Sequence, residues 1–210
     1  MKVIVLSTSK KYDDEEQIVS EMFKQGLQYF HLRKPNFSKS AMMNYLDAIP
    51  KKYHNRIVLH SKHSLAKTYN VKGIHLTKKH RQRVLRTWWQ IKQIKSNKPN
   101  LIITTSFHSL ETITGNKNNY NYVFLSPVFD SISKKNYQGK FNDSNLKLVL
   151  DNLKTKVIAL GGVDITTIKE VQEMGFDGMG FLGGIWKSTN PLAQFINVKK
   201  ECERRNLSLA

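Results

Sequence analysis

Short apolar runs recur along the whole chain, and polar stretches of helix length separate them. Runs at residues 2–6, 27–32, 56–60, 73–76, 101–105, 122–125, 156–160 and 178–182 have the length and β-branched content of buried strands. Between them lie helix signals. Asp13-Asp14-Glu15-Glu16 sets acids at a helix start, where the macrodipole favours them, and Gly26 ends that helix. Ser38 can cap a helix carrying Met42, Met43, Tyr45, Leu46 and Ile49 before Pro50. A short helix is expected around 64–69. A long basic helix follows to about Lys95, with Val84, Leu85, Trp88, Trp89 and Ile91 as its apolar members. Pro99 marks a turn, Ser109 starts the next helix, and further helices are expected over 142–152, 164–174 and 191–205.

Eight strands alternating with helices predict an α/β fold, a single closed (β/α)8 TIM barrel over residues 1–210. An open doubly wound sheet is the rival. Its dinucleotide-binding form needs glycines after the first strand, and Ser7-Thr8-Ser9-Lys10-Lys11 has none. No linker, repeat or low-complexity tract suggests a second domain.

In such a barrel the chemistry sits where strands end, on the C-terminal face. The exits read His31-Leu32-Arg33, His60, His75, Ser106-Phe107-His108-Ser109, Ser131-Ile132-Ser133-Lys134, Gly161-Gly162 and Gly183-Gly184. After the sixth strand Pro127 is expected to end strand pairing, because it has no N–H to donate. The hydroxyls and lysines that follow suit a phosphate, although a solvated lysine loop reads the same way. The two Gly-Gly pairs follow the last two strands, where barrels often hold a phosphate. Glycine lets bare N–H groups approach an oxyanion, and the helix behind adds its positive end. Plain tight turns remain the alternative.

His108 is the candidate acid–base group, with Ser106 and Ser109 placed to fix its tautomer, or else it caps the next helix. Arg33 suits a bidentate contact to phosphate or carboxylate, or is an exposed rim arginine. His60 and His75 read more readily as satisfied core histidines. No metal is expected, because carboxylates are missing from the exits of strands three to five and Asp130 stands alone.

Composition changes this picture little. The 210 residues can bury one substantial core, and the formal charge is +18. Its lysines are spread along the chain, so a general bias toward anionic ligands is preferred to nucleic-acid binding, for which no motif is present. No apolar run is long enough to span a bilayer. Cys202 is the only cysteine, so no internal disulfide can form. With no signal-peptide run at the N-terminus, a cytoplasmic location is expected and no membrane partner. A homo-oligomer is left open.

Five motifs fall in the order of one family: Phe30-His31-Leu32-Arg33, Gly73-Ile74-His75-Leu76, Ser106-Phe107-His108-Ser109-Leu110-Glu111, Tyr122 to Lys135, and Val157 to Val163. The chain thus resembles the superfamily of thiamine phosphate synthase and its sister, the thiazole tautomerase TenI. That resemblance implies a (β/α)8 barrel that takes a small-molecule thiazole phosphate. The synthase joins a pyrimidine diphosphate to the thiazole phosphate with magnesium. Its Asn-Asp after strand three is His60-Ser61 here, and its Gly-Gln-Glu-Asp after strand four is Thr77-Lys78-Lys79-His80. Its Gln-x-Arg-x-Lys becomes His31-Leu32-Arg33-Lys34-Pro35. The tautomerase pattern, His-x-Arg and Ser-x-His-Ser, is present at His31-Leu32-Arg33 and Ser106-Phe107-His108-Ser109.

The resemblance therefore implies a tautomerase that aromatises a thiazole carboxylate phosphate by proton transfer at His108. Ser131, Ser133, Lys134, Gly162 and Gly183 would hold the phosphate, with His31 and Arg33 on the carboxylate side. No cofactor is expected, and Mg2+ only if the chain is a synthase. A non-catalytic thiamine-phosphate binder is the third reading.

Overall fold

The computed structural model of the protein describes residues 1–129 and 143–207. Its strands are β1 (Lys2–Leu6), β2 (Tyr29–Leu32), β3 (Ile57–Leu59), β4 (Gly73–Leu76), β5 (Ile102–Phe107), β6 (Tyr122–Leu125), β7 (Val157–Leu160) and β8 (Gly178–Phe181). All neighbours are parallel, and β8 closes onto β1 with Val3 opposite Met179, giving the expected barrel.

Around the barrel run α1 (Glu15–Lys24), α2 (Lys39–Asp47), α3 (Lys78–Gln82), α4 (Val84–Lys95) and α5 (Leu110–Thr114). The ring is completed by α6 (Asp143–Asp151), α7 (Ile168–Glu173), α8 (Gly183–Trp186) and α9 (Pro191–Arg204). The short helix expected after β3 is a 3-10 turn, His63–Lys67.

The period of two along each strand divides the buried residues into two layers. Outward-facing Val3, Val5, Phe30, Leu32, Ile74, Val123, Val157 and Met179 join the helices in the larger core. Ile4, Leu6, Tyr122, Phe124 and Ile158 face inward and fill the barrel, with Tyr29, Ile102, Leu160 and Leu182 packed on them.

The long basic helix of the sequence reading is two helices, broken at Arg83 with ψ at 60°. The hydroxyl of Thr87 donates to the carbonyl of His80 at 2.7 Å, which satisfies a group left free where α3 ends. The apolar pattern is also inverted there. Thr87 and Ile94 are the buried residues of α4, whereas Val84, Leu85, Trp88 and Trp89 are exposed. Pro127 does not end the pairing either. Beyond it the N–H groups of Val128 and Phe129 donate to the carbonyls of Leu160 and Gly161, at 3.0 and 2.9 Å.

Candidate active site

A cavity of about 260 Å³ opens at the C-terminal ends of the strands. Gly161, Gly162, Gly183 and Gly184 form one wall, Leu6, Leu160 and Leu182 the floor, and Arg33, Ser126 and Lys187 its polar edge. The two glycine turns are built for close approach. Gly161 and Gly162 have φ of 89° and 75°, a conformation L side chains rarely adopt. A Cβ on Gly161 would lie 2.8 Å from Pro127 Cα, and one on Gly184 would lie 2.6 Å from the Val163 carbonyl. Behind them the indole of Trp186 donates to the Leu6 carbonyl at 2.7 Å, pinning α8 to the end of β1.

Arg33 is held from its backbone. Its N–H donates to Ser7 Oγ at 2.7 Å, and the next residue, Lys34, is buried. Lys34 ion-pairs with the buried Glu15 and donates to Thr8 Oγ1 and the Lys10 carbonyl at 3.0 and 2.6 Å. Burial raises the Glu15 carboxyl above its ordinary range, and Lys34 and Thr8 oppose that rise. The guanidinium of Arg33 is left free of this network and lines the cavity together with Lys187. Lys187 is a site residue the sequence reading missed. It stands one helical turn after Gly183, on the helix that Gly-Gly opens, which is the signal that could have found it.

His108 lies just beyond β5, exposed and not among the residues that line the cavity, with Nδ1 2.7 Å from the carbonyl of Ser126, which does line it. A carbonyl only accepts, so Nδ1 carries the hydrogen and the lone pair of the neutral ring is at Nε2. Ser106 and Ser109 do not set this tautomer. Ser106 Oγ is 3.1 Å from His75 Nε2, and Ser109 caps α5 by accepting from the Thr112 N–H at 3.3 Å.

His31 does not line the cavity. It sits within β2, fully buried inside the barrel, because residue 31 faces inward while Phe30 and Leu32 face the helices. Its Nδ1 is 2.9 Å from His60 Nε2, and its Nε2 is 2.6 Å from the Tyr122 hydroxyl. His75 is likewise inside, its Nδ1 2.9 Å from Thr104 Oγ1, with its ring stacked on His60 at 4.0 Å. Burial lowers His31 to about 3 and holds His60 and His75 well below the usual histidine range. All three are neutral.

Among the described residues, no acid stands at the exits of β3 and β4. Beyond β4 stands Arg81, whose guanidinium donates to Thr105 Oγ1 and, at 2.7 Å, to the Ser106 carbonyl. Among the described residues the only trio with metal-ligating atoms in reach of one another is His31, His60 and His75. Ser131, Ser133 and Lys134, expected at the phosphate, lie outside the described residues, as does Asp130.

Residues 2–185 match the family model described as thiamine monophosphate synthase. A thiamine-phosphate synthase of Staphylococcus epidermidis is 25% identical over 185 residues, covering 83% of this chain and 82% of that one. A crystal structure of thiamine phosphate pyrophosphorylase from Bacteroides thetaiotaomicron superimposes with a TM-score of 0.75 at 28% identity, over 97% of this chain and 98% of that one. Another, from Pyrococcus furiosus, shares the fold at 19% identity and a TM-score of 0.73, over 97% and 96% of the two chains. Among the described residues no helix is long and apolar enough to cross a membrane.

Proposed function

This chain belongs to the thiamine monophosphate synthase family and is an enzyme of thiamine biosynthesis, and within that family we propose that it is a thiazole phosphate tautomerase. One observation carries the reading: Nδ1 of His108 donates to the carbonyl of Ser126, a residue of the cavity wall, and this leaves Nε2 as the ring nitrogen for proton transfer. In this scheme Nε2 takes a proton from one position of the ring, and the imidazolium returns it to another. The product is the aromatic isomer, with no net loss of protons and no redox step. The Ser126 carbonyl stabilises the imidazolium in between. Arg33 and Lys187 face the phosphate and carboxylate ends of such a substrate as fixed cations, with the backbone N–H groups of the glycine wall. Ser131, Ser133 and Lys134 remain part of the proposal as further phosphate ligands.

A second reading is thiamine-phosphate synthase, and the names of the relatives favour it. Against it stands the chemistry at the exits of β3 and β4. A diphosphate leaving group is stabilised by magnesium held on carboxylates, and this chain sets His60-Ser61 and the cation Arg81 there. The discriminating experiment offers both synthase substrates with and without magnesium, beside the thiazole tautomer alone. The tautomerase reading expects aromatisation without magnesium and no coupling. Magnesium-dependent coupling without aromatisation would reverse the assignment.

A further inference from the structure

The three histidines inside the barrel do nothing in the reaction proposed above. They come from β2, from the residue after β3 and from β4, and one ring nitrogen from each lies within 4.8 Å of the others. From this geometry we infer a transition-metal site, with His31, His60 and His75 as its three protein ligands.

Donor chemistry selects the ion. Three imidazoles without a carboxylate suit Zn2+, Co2+, Ni2+ or Cu2+, and are poor partners for Mg2+ or Ca2+. Tetrahedral coordination at about 2.0–2.1 Å separates ligand nitrogens by about 3.3 Å. His31 Nδ1 and His60 Nε2 are already 2.9 Å apart, so the pair has only to open slightly and the third nitrogen to close. The surrounding groups are those that orient metal-bound imidazoles. The Tyr122 hydroxyl, 2.6 Å from His31 Nε2, can accept its N–H and leave Nδ1 for the metal. Thr104 and Ser106 hold the two nitrogens of His75, so the metal replaces one hydroxyl there while the other keeps the ring in place. His60 loses its hydrogen bond to His31 and moves its hydrogen to Nδ1.

Access is from the side of His60, at 8% exposure the least buried of the three. Three protein ligands leave at least one coordination position open, as in zinc sites that hold a water or a substrate group. This inference is independent of which reaction the enzyme performs.

The full chain, stripped with chelator, is titrated with Co2+ and read by its visible d–d absorption, then with Zn2+ in competition. The expected result is one Co2+ per chain with the intense band of a low-coordinate site, displaced by Zn2+ and untouched by millimolar Mg2+. His60→Ala, shown to be folded by circular dichroism, should bind at least 100-fold more weakly, whereas His108→Ala, which removes the exposed rim imidazole, should bind as wild type. Zn2+ should raise the melting temperature of wild type and not of His60→Ala. Wild-type protein that takes up no stoichiometric Co2+ overturns the site. So does binding that survives in folded His60→Ala, or that disappears in His108→Ala.

Discussion

Lys187 and Arg33 are the two cations the cavity presents to a ligand, and neither has a carboxylate partner among the described residues. If they hold the anionic ends of the substrate throughout the reaction, their loss should weaken binding more than the chemical step. Lys187→Ala is expected to raise KM about 10- to 100-fold with kcat nearly kept, since a charge-assisted contact contributes about 1.5–3 kcal/mol. Steady-state kinetics on the thiazole phosphate check this, and a fall in kcat alone would speak against it. Gly161 is constrained differently. Its φ of 89° and the 2.8 Å approach to Pro127 leave no room for a methyl group, so Gly161→Ala should destabilise the fold by about 1–3 kcal/mol in chemical denaturation. At this scale the sequence was readable where function depends on motif. Arg33, Gly162 and Gly183 do line one cavity, whereas His108 is not among its lining residues and reaches it only through its hydrogen bond to Ser126. It misled for His31, whose place in the strand alternation puts it inside the barrel two residues before the exposed Arg33.

Among the elements, α4 departs most from its sequence pattern. Its four largest exposed apolar side chains, Val84, Leu85, Trp88 and Trp89, recur at helical spacing, which is the mark of a core-facing stripe. The chain instead buries the face with Thr87 and Ile94, because the hydroxyl of Thr87 meets the carbonyl of His80 and Ile94 packs into the outer core. Periodicity alone cannot say which of two faces turns inward. Two substitutions test the assignment by urea denaturation. Leu85→Lys, at 78% exposure, should change stability by no more than about 0.5 kcal/mol. Ile94→Ala, at 1% exposure, should cost about 2–5 kcal/mol. The reverse order would mean that α4 packs the other way round. Strand positions were easier to read, since each apolar run is short and bounded. Boundaries shifted by one or two residues in five strands: β2 starts at Tyr29, β3 shortens to Ile57–Leu59, β5 becomes Ile102–Phe107, β7 starts at Val157 and β8 ends at Phe181.

Across the molecule, the closed barrel follows from eight regular units and needs no special residue to announce it. What sequence spacing could not show is the convergence of His31, His60 and His75, which are far apart in the chain and adjacent only once β2, β3 and β4 pair. Burial of these histidines and of His63 sets a pH dependence. His31 falls to about 3, His63 to about 4, and His60 and His75 lie well below the ordinary value of 6.5. The unfolded chain therefore binds protons below pH 6.5 that the folded one does not, and stability drops as pH falls. It should be flat above pH 7 and decline from about 6.5 toward 4, by up to about 1.4 kcal/mol per pH unit for each histidine. Guanidinium melts across that range check the slope, and a flat profile between pH 7 and 5 would show that the rings are not buried neutral.

In the proposed reaction His108 moves the proton. The assay to run is aromatisation of the thiazole carboxylate phosphate tautomer by wild type and by His108→Ala, without magnesium. A fall in kcat of about 10²–10⁴-fold with KM little changed is expected. A variant that turns over at the wild-type rate would rule His108 out, and a wild-type enzyme that leaves the tautomer untouched would rule out the tautomerase.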